Sequence, residues 1–394
     1  MDSKQTRPRL LAVPKQSFFL LGPRGTGKST WLDEQLLTPK SIKIDLLLPT
    51  EYLKYKRDPE VLKRELEGRA FPDWVIVDEV QRLPEILDVV HHLLYVSKGK
   101  LRFALTGSSA RKLKREGANL LAGRALSRRL FPFTSVEMGS DFDLTTALRY
   151  GLLPIAVNPS TDASREAALD GYVETYLREE IQQEALVRNL DGFFRFLQVC
   201  GVVSGQILNI AGVARDVGLA RATVQGYFEI LADTLVGWTL PSFRLRAKIK
   251  EVEHPKFYLF DGGVQRVLSG EIRNAPGRDQ LGHLFEAFVL NEIRALDSYL
   301  SIGGQMAYWR TEAGTEVDLV WSRGARRTGV EIKHVDRWKP EYQKGLVTLL
   351  ETGKIQTAYG VYAGNRRLKV GSVEVFPFRE FFARILAGQI LPGE

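Results

Sequence analysis

Short apolar runs alternate with amphipathic stretches through residues 1–150, the rhythm of strands and helices in a parallel sheet. Ser17–Leu21, Ile42–Leu47, Trp74–Val77, Leu101–Leu105 and Ser127–Leu130 are predicted strands. From Tyr150-Gly151-Leu152-Leu153-Pro154 the period turns helical, and Arg165–Asn189 carries apolar residues at helix-like intervals between charges. Phe193–Cys200, Ile207–Val217 and Ala220–Leu231 repeat the pattern, with Gly218 at a turn between the last two. Trp238–Phe243 and Lys256–Phe260 are predicted strands around a basic hairpin, Arg244–Lys250. After the Pro/Gly-containing boundary Asn274–Arg278, Gly282–Glu292 is an amphipathic helix, followed by strands at Met306–Thr311, Glu316–Trp321 and Gly329–Lys333. The predicted architecture is an α/β multidomain chain with a parallel-sheet domain over 1–150, a helical lid over 151–192, a helix-turn-helix with hairpin over 193–275 and a mixed α/β domain over 276–394.

The first predicted strand empties into Gly22-Pro23-Arg24-Gly25-Thr26-Gly27-Lys28-Ser29-Thr30. Glycines in such a loop let backbone N–H groups curl around phosphates, a lysine reaches the terminal oxygens and a hydroxyl at the next helix start can hold Mg²⁺. These nine residues are therefore expected to bind ATP, with Ser29 on the metal. The third predicted strand ends in Asp78-Glu79, where Asp78 would hold Mg²⁺ and Glu79 would polarise the attacking water. A further strand ends in Thr106-Gly107-Ser108-Ser109, and Ser108 is expected to sense the γ-phosphate. All of these polar groups fall at strand C-terminal ends, where open α/β sheets bind ligands. Downstream, Arg124 is the first candidate for an arginine finger entering a neighbouring subunit's site, with Arg128 and Arg129 behind it.

A second set of candidates lies elsewhere. Arg221, Thr223 and Gln225 open the helix after the Gly218 turn, where a recognition helix meets DNA, and Arg244, Arg246 and Lys248 punctuate the hairpin that would act as its wing. In the C-terminal domain Glu286 sits on a helix, and Glu331 and Lys333 share one face of a strand while Val330 and Ile332 face the core. Glu316 and Asp318 likewise share a strand face. Hard carboxylate oxygens beside a lysine suit metal-assisted phosphodiester hydrolysis.

Composition narrows the field. The net charge of +8 favours a polyanionic partner. One cysteine, Cys200, excludes an intramolecular disulfide, and the five histidines show no paired zinc spacing. No uninterrupted apolar span suggests a membrane helix, and the polar start Met-Asp-Ser-Lys-Gln-Thr-Arg lacks the apolar core of a secretory signal, so a cytoplasmic location is expected.

Taken together, Gly22–Thr30, Val75–Gln81, Leu105–Ser109, Leu121–Arg124, Tyr258–Gly263 and Tyr308–Arg310 through Glu331–Lys333 resemble a prokaryotic family of AAA+-type ATPases that join a P-loop module to a winged helix and a C-terminal PD-(D/E)xK, restriction-endonuclease-like domain. The resemblance implies ATP and Mg²⁺ as cofactors, with Mg²⁺ or Mn²⁺ at the nuclease-like site. There Asp318 and Glu331 would be ligands, Glu286 would supplement them, and Lys333 would position water. It also implies a ring-like homo-oligomer, a hexamer, acting on DNA. The nuclease-like part is similar to archaeal Holliday-junction resolvases, which makes branched or duplex DNA the expected substrate and DNA repair the expected setting. The competing expectation is a nucleotide-dependent signalling or regulatory switch, in which the winged helix and an inactive nuclease fold bind protein or DNA without cleavage.

Overall fold

The computed structural model describes residues 7–67, 71–108, 121, 123–177, 189–244 and 253–392. These form two compact units. One comprises Pro8–Phe131 with Ile230–Val236, and the other takes in Pro132–Glu229 and Gly237–Glu394 together with the start of the chain. Most of the expected 1–150 domain falls in the first; the segments expected over 151–192, 193–275 and 276–394 lie mainly in the second.

The first unit is built on five strands: β1 Phe18–Leu21, β2 Ile42–Asp45, β3 Val75–Asp78, β4 Phe103–Gly107 and β5 Leu126–Arg129. They pair in the order β2-β3-β4-β1-β5, every pair parallel. β1, β3 and β4 are buried throughout, as near-continuous apolar strands covered on both faces must be, whereas edge strand β5 alternates half-buried and exposed residues. Phe18 lies edge-on to Trp31 and Trp74 at ring separations of 6.1 and 5.5 Å. On the other face, Phe19, Leu21, Ile44, Val77 and Leu105 join the helix Ile86–Val96 in a core that also takes Leu235. The five strands expected from the apolar runs are all present, with ends shifted by one or two residues.

In the second unit the helix Leu190–Val203 starts at Asn189, whose Oδ1 accepts from Gly192 N at 2.9 Å. The next helix, Ile210–Val217, is capped the same way by Asn209 and stops at Gly218, whose φ of 72° lets the chain turn into Arg221–Asp233. Phe193, Phe196, Tyr227, Phe228 and Phe257 form a chain of ring contacts between 4.7 and 5.5 Å that packs these helices onto a two-stranded hairpin, β6 Gly237–Leu240 and β7 Lys256–Leu259. The expected helix-turn-helix rhythm is thus realised. Of the expected lid, Asp162–Gly171 is α-helical and Tyr172–Leu177 π-helical, while 178–188 lie outside the described residues.

The remaining strands are β8 Gln305–Arg310, β9 Glu316–Arg323, β10 Arg326–Lys333, β11 Thr357–Tyr362, β12 Leu368–Val370 and β13 Val373–Pro377. They form one mixed sheet, β12-β13-β11-β10-β9-β8, parallel at β10/β11 and β11/β13 and antiparallel elsewhere. The chain leaving β6 runs along the free edge of β8: Phe243 N donates to Tyr308 O at 2.6 Å and Tyr308 N to Pro241 O at 2.9 Å. The hairpin is therefore stitched to the sheet's edge strand, which covers ladder groups that would otherwise be open.

Two buried acids tie distant segments of this unit together. Asp261 accepts from Gly263 N and Val264 N through Oδ1 and from Leu152 N through Oδ2 at 2.8 Å. A Cβ at Gly151, whose φ is +72°, would fall 2.0 Å from Asp261 Oδ1. The Asp261-Gly262-Gly263 and Tyr150-Gly151 motifs are therefore one backbone lock. Glu292, on the helix Arg278–Tyr299, accepts from Ser135 N at 2.7 Å and Ser135 Oγ at 2.8 Å. No helix among the described residues is long and apolar enough to cross a membrane.

Burial pushes the Glu292 carboxyl up to about 8, against the opposing hydrogen bonds from Ser135. A carboxyl whose folded value lies above its unfolded value binds its proton more tightly in the native state. Its contribution is complete below the unfolded range near pH 4.5 and is lost as pH rises toward about 8. Thermal melts should accordingly show native stability falling from pH 6 to pH 9, with a Glu292→Gln variant losing less over that interval; parallel pH profiles would show that Glu292 titrates normally.

Candidate nucleotide site and carboxylate cluster

The nucleotide site begins where β1 ends. Gly22 packs so closely on β5's exit that a Cβ there would stand 2.4 Å from Leu130 O, and Gly25 and Gly27 both take left-handed conformations, with φ of 81° and 90°. Thr26 closes the turn by donating from Oγ1 to Pro23 O at 2.9 Å. Lys28, the first residue of the helix Lys28–Leu36, is almost wholly buried and donates from Nζ to Gly22 O at 2.8 Å and Pro23 O at 3.2 Å. Ser29 is half-buried beside it, and Arg24, Gly25 and Thr30 line the more open side of the loop. The loop is folded around its own lysine.

Asp78 ends β3, next to β4, and β4 lies next to β1. This order puts Thr106 between the loop's strand and the acidic pair. Thr106 Oγ1 donates to Asp78 Oδ1 and accepts from Glu79 N at 2.8 Å, so one hydroxyl fixes both the carboxyl and the backbone after it. Glu79 takes φ 57° and ψ 47°, a left-handed conformation that costs a non-glycine residue about 1–2 kcal/mol and is characteristic of functional sites. Gln81 Nε2 donates to both Glu79 Oε2 and Ser108 Oγ, the latter at 3.1 Å. Gln81 Oε1 is also buried and has no hydrogen-bond partner among the described residues. Ser108 is therefore tied to the acidic pair through Gln81. Thr106 belongs to the polar strand tip that the sequence marks for phosphate sensing, but its bonds to Asp78 and Glu79, and the bridging role of Gln81, emerge only from the packing of strands.

The residues present fit a magnesium nucleotide: a glycine loop with a buried lysine, a hydroxyl in the first helical turn, an oriented aspartate and an unpaired buried acceptor. Arg124, by contrast, is exposed and engaged within its own unit, bonding His91 Nε2 and standing 6.0 Å from the Tyr95 ring centre. Arg128 is half-buried and Arg129 exposed on β5.

In the second unit, Asp318 and Glu331 meet at Lys333, near enough to Glu286 to feel its charge. Asp318 Oδ2 accepts from Ile332 N at 2.7 Å and Lys333 Nζ at 3.3 Å, and Lys333 Nζ lies 2.5 Å from Glu331 Oε1. Four further residues join them, Lys256, Tyr258, Glu316 and Arg310. Lys256 of β7 reaches Glu286 Oε1 at 2.9 Å and Glu316 Oε1 at 2.5 Å, and Tyr258 donates to Glu286 Oε1 at 2.6 Å. Arg310 pairs with the other oxygen of Glu316 at 3.1 Å. Burial, then the neighbouring Asp318, drives the Glu331 carboxyl well above the usual range, against the pull of Lys333. Burial opposes the charge on Lys333 and on Lys256. The surrounding acids outweigh it, Asp318 and Glu331 for the first and Glu286, Asp318 and Glu316 for the second, so both ammonium groups are held protonated.

Among the described residues no group of three or more His, Cys, Asp or Glu side chains is arranged to hold a metal ion. Of the expected ligands, Asp318 and Glu331 pair with Lys333, and Glu286 pairs with Lys256 and Tyr258. Arg221, Thr223 and Gln225 are exposed on their helix, and Arg244 is exposed and paired with Glu253 at 3.0 Å. Arg246 and Lys248 lie outside the described residues, as does Ser109.

Comparison with known proteins agrees with the nucleotide site. Residues 14–139 match a family model described as an AAA domain, 141–273 a domain of unknown function (DUF8612), and 281–381 another (DUF4143). The N-terminal part is thus an AAA-type P-loop ATPase domain, followed by a helical region and a C-terminal mixed-sheet domain. The chain is similar to the uncharacterized protein Rv2008c of Mycobacterium tuberculosis, 28% identical over 94% of this chain and 80% of that protein. It is also similar to an uncharacterized protein of Haemophilus influenzae, 20% identical over 64% of this chain and 68% of the other. Among solved structures, the Aeropyrum pernix ORC2 protein aligns with a TM-score of 0.34 at 12% identity, covering 66% of this chain and 87% of that one. The Thermotoga maritima RuvB Holliday junction branch migration motor aligns at 0.31 and 15%, covering 57% and 82%.

Replacing Thr106 by valine keeps its shape and deletes the hydroxyl that orients Asp78. Steady-state ATP hydrolysis should fall by roughly 10- to 100-fold, the usual cost of losing an orienting partner of a metal ligand. Unchanged turnover at saturating Mg²⁺ would remove Thr106 from the site.

Proposed function

We propose that this protein is an ATP-hydrolysing AAA+ machine that binds and remodels DNA, and that its C-terminal domain holds the polymer without cutting it. The single observation that carries the ATPase reading is the network Asp78–Thr106–Glu79–Gln81–Ser108 beside the glycine loop. Its acids and hydroxyls are positioned by one another before any ligand arrives. With nucleotide bound, Lys28 would reach the terminal phosphate oxygens, Ser29 and Asp78 would hold Mg²⁺, and Glu79 would orient the attacking water. Bound Mg²⁺ supplies charge neutralisation at the phosphates. The protein's contribution is to hold Glu79 in place, through its backbone to Thr106 and its carboxyl to Gln81.

The DNA reading rests on the net charge of +8 and on the exposed Arg221, Thr223 and Gln225, which follow the Gly218 turn as recognition residues do in a winged helix-turn-helix. Holding rather than cutting is supported by the pairing of the nuclease-like set, in which Glu286 is engaged by Lys256 and Tyr258, and Asp318 and Glu331 by Lys333. Homo-oligomers of ring form, with Arg124 or a neighbouring arginine completing a partner's site, are the assembly this reading entails.

Lys28→Ala should abolish nucleotide binding, whereas Glu79→Gln should retain bound ATP and lower turnover by roughly 100-fold or more; normal turnover in Glu79→Gln would exclude the assigned role. Duplex and four-way junction binding should weaken steeply with salt, and Arg221→Ala should reduce the slope of log affinity against log salt by about 1. A flat salt response would favour a signalling switch. Junction cleavage in Mg²⁺ or Mn²⁺ that disappears in Lys333→Ala would overturn the non-cutting reading.

A further inference from the structure

The carboxylate cluster of the second unit contains four acids, Glu286, Glu316, Asp318 and Glu331. They come from one helix and two adjacent strands, and each has a basic side chain within 3.3 Å. Three of the four, with Lys333, are legible as a set from their strand and helix positions. Lys256 is not part of that set. It arrives from β7, outside the six-stranded sheet, on the hairpin that is stitched to β8. Its side chain is only 5% exposed, and its ammonium bridges Glu286 and Glu316 while lying 5.4 Å from the Tyr308 ring centre. Glu286 Oε1 receives both Lys256 and Tyr258, so that oxygen already has two donors.

We propose that Lys256 is the resident cation of this cluster, an internal counter-ion that closes the acid set against divalent metal ions and fastens the hairpin to the C-terminal sheet. A buried carboxylate pair needs positive charge, and either a metal ion or an ammonium group can supply it. Here an ammonium from a separate structural element occupies the place between the helix acid and the β9 acid. A divalent ion bound through Glu286 Oε1 would have to displace both Lys256 and the Tyr258 hydroxyl, and one bound through the other oxygen would face the Lys256 ammonium beside it. The cluster retains ligand capacity behind this barrier: Glu331 Oε2 is buried and has no hydrogen-bond partner among the described residues. Lys256 is thus the residue that decides whether the site takes a divalent ion, a different role from that of Lys333, which pairs with Asp318 and Glu331 on its own sheet.

The test is Mn²⁺ binding to the full-length, nucleotide-free protein, read by electron paramagnetic resonance and calorimetry. It is made in an Asp78→Asn background so that the P-loop aspartate does not contribute. The protein with Lys256 intact should show no saturable Mn²⁺ binding that depends on Asp318. Lys256→Gln should acquire one saturable, Asp318-dependent Mn²⁺ site per chain, and adding Glu286→Gln should remove it. If Lys256→Gln does not fold, Lys256→Gln with Glu316→Gln deletes one charge of each sign and should show the same gain through the remaining three acids. A parent protein that binds one Mn²⁺ and loses it on Asp318→Asn overturns the proposal, as does a folded Lys256 variant that gains none. These outcomes are independent of ATP turnover and DNA affinity, so they are distinguishable from failure of the functional reading above.

Discussion

The structure depends on one constraint of strand order. Because β4 is inserted between β1 and β3, a single hydroxyl on β4, that of Thr106, bonds both the Asp78 carboxyl and the Glu79 backbone. Parallel pairing aligns all the strand ends on one side, so the glycine loop, the acidic pair and the polar tip of β4 converge without any long-range side chain having to find them. The left-handed Glu79 is held by this arrangement and by Gln81, which also reaches Ser108. A conformation that a free residue avoids is stabilised because its neighbours on two strands leave it no better option.

The second unit answers a different demand. Its acids are gathered on the helix Arg278–Tyr299 and the middle of a mixed sheet, where charge is expensive to bury unless it is matched. Lys256, Lys333 and Arg310 provide the match, and because Lys256 belongs to the hairpin, its charge neutralisation adds to the backbone bonds that join hairpin and sheet. Asp261 and Glu292 repeat the principle with backbone and hydroxyl donors in place of lysines, tying residues 152 and 135 to elements more than a hundred positions later.

Local pattern carried far along this chain. The apolar runs located every strand of the parallel sheet, since fully buried strands have no polar alternation to obscure them. Gly218 marked the turn between two helices because only a residue free of a Cβ takes its left-handed conformation easily. The phosphate-loop residues were readable for the same reason, their spacing being dictated by local backbone geometry. The Tyr258–Gly263 motif was visible as a pattern but not as a device. Its purpose, bracing Asp261 against Gly151 and Leu152, involves residues a hundred positions apart.

By itself the sequence determined the parallel-sheet class of the N-terminal domain, the glycine loop with Lys28 and Ser29, the acidic pair, and the sharing of one strand face by Glu331 and Lys333. All of these follow from periods of two or four residues or from a contiguous loop. Only the tertiary structure decided which groups satisfy those residues: Thr106 for Asp78, Gln81 for Glu79 and Ser108, and above all Lys256 for Glu286 and Glu316. A lysine thirty residues before its partner on another element leaves no periodic trace. What makes it essential is the burial of the acids it meets, and burial is a property of the packed chain.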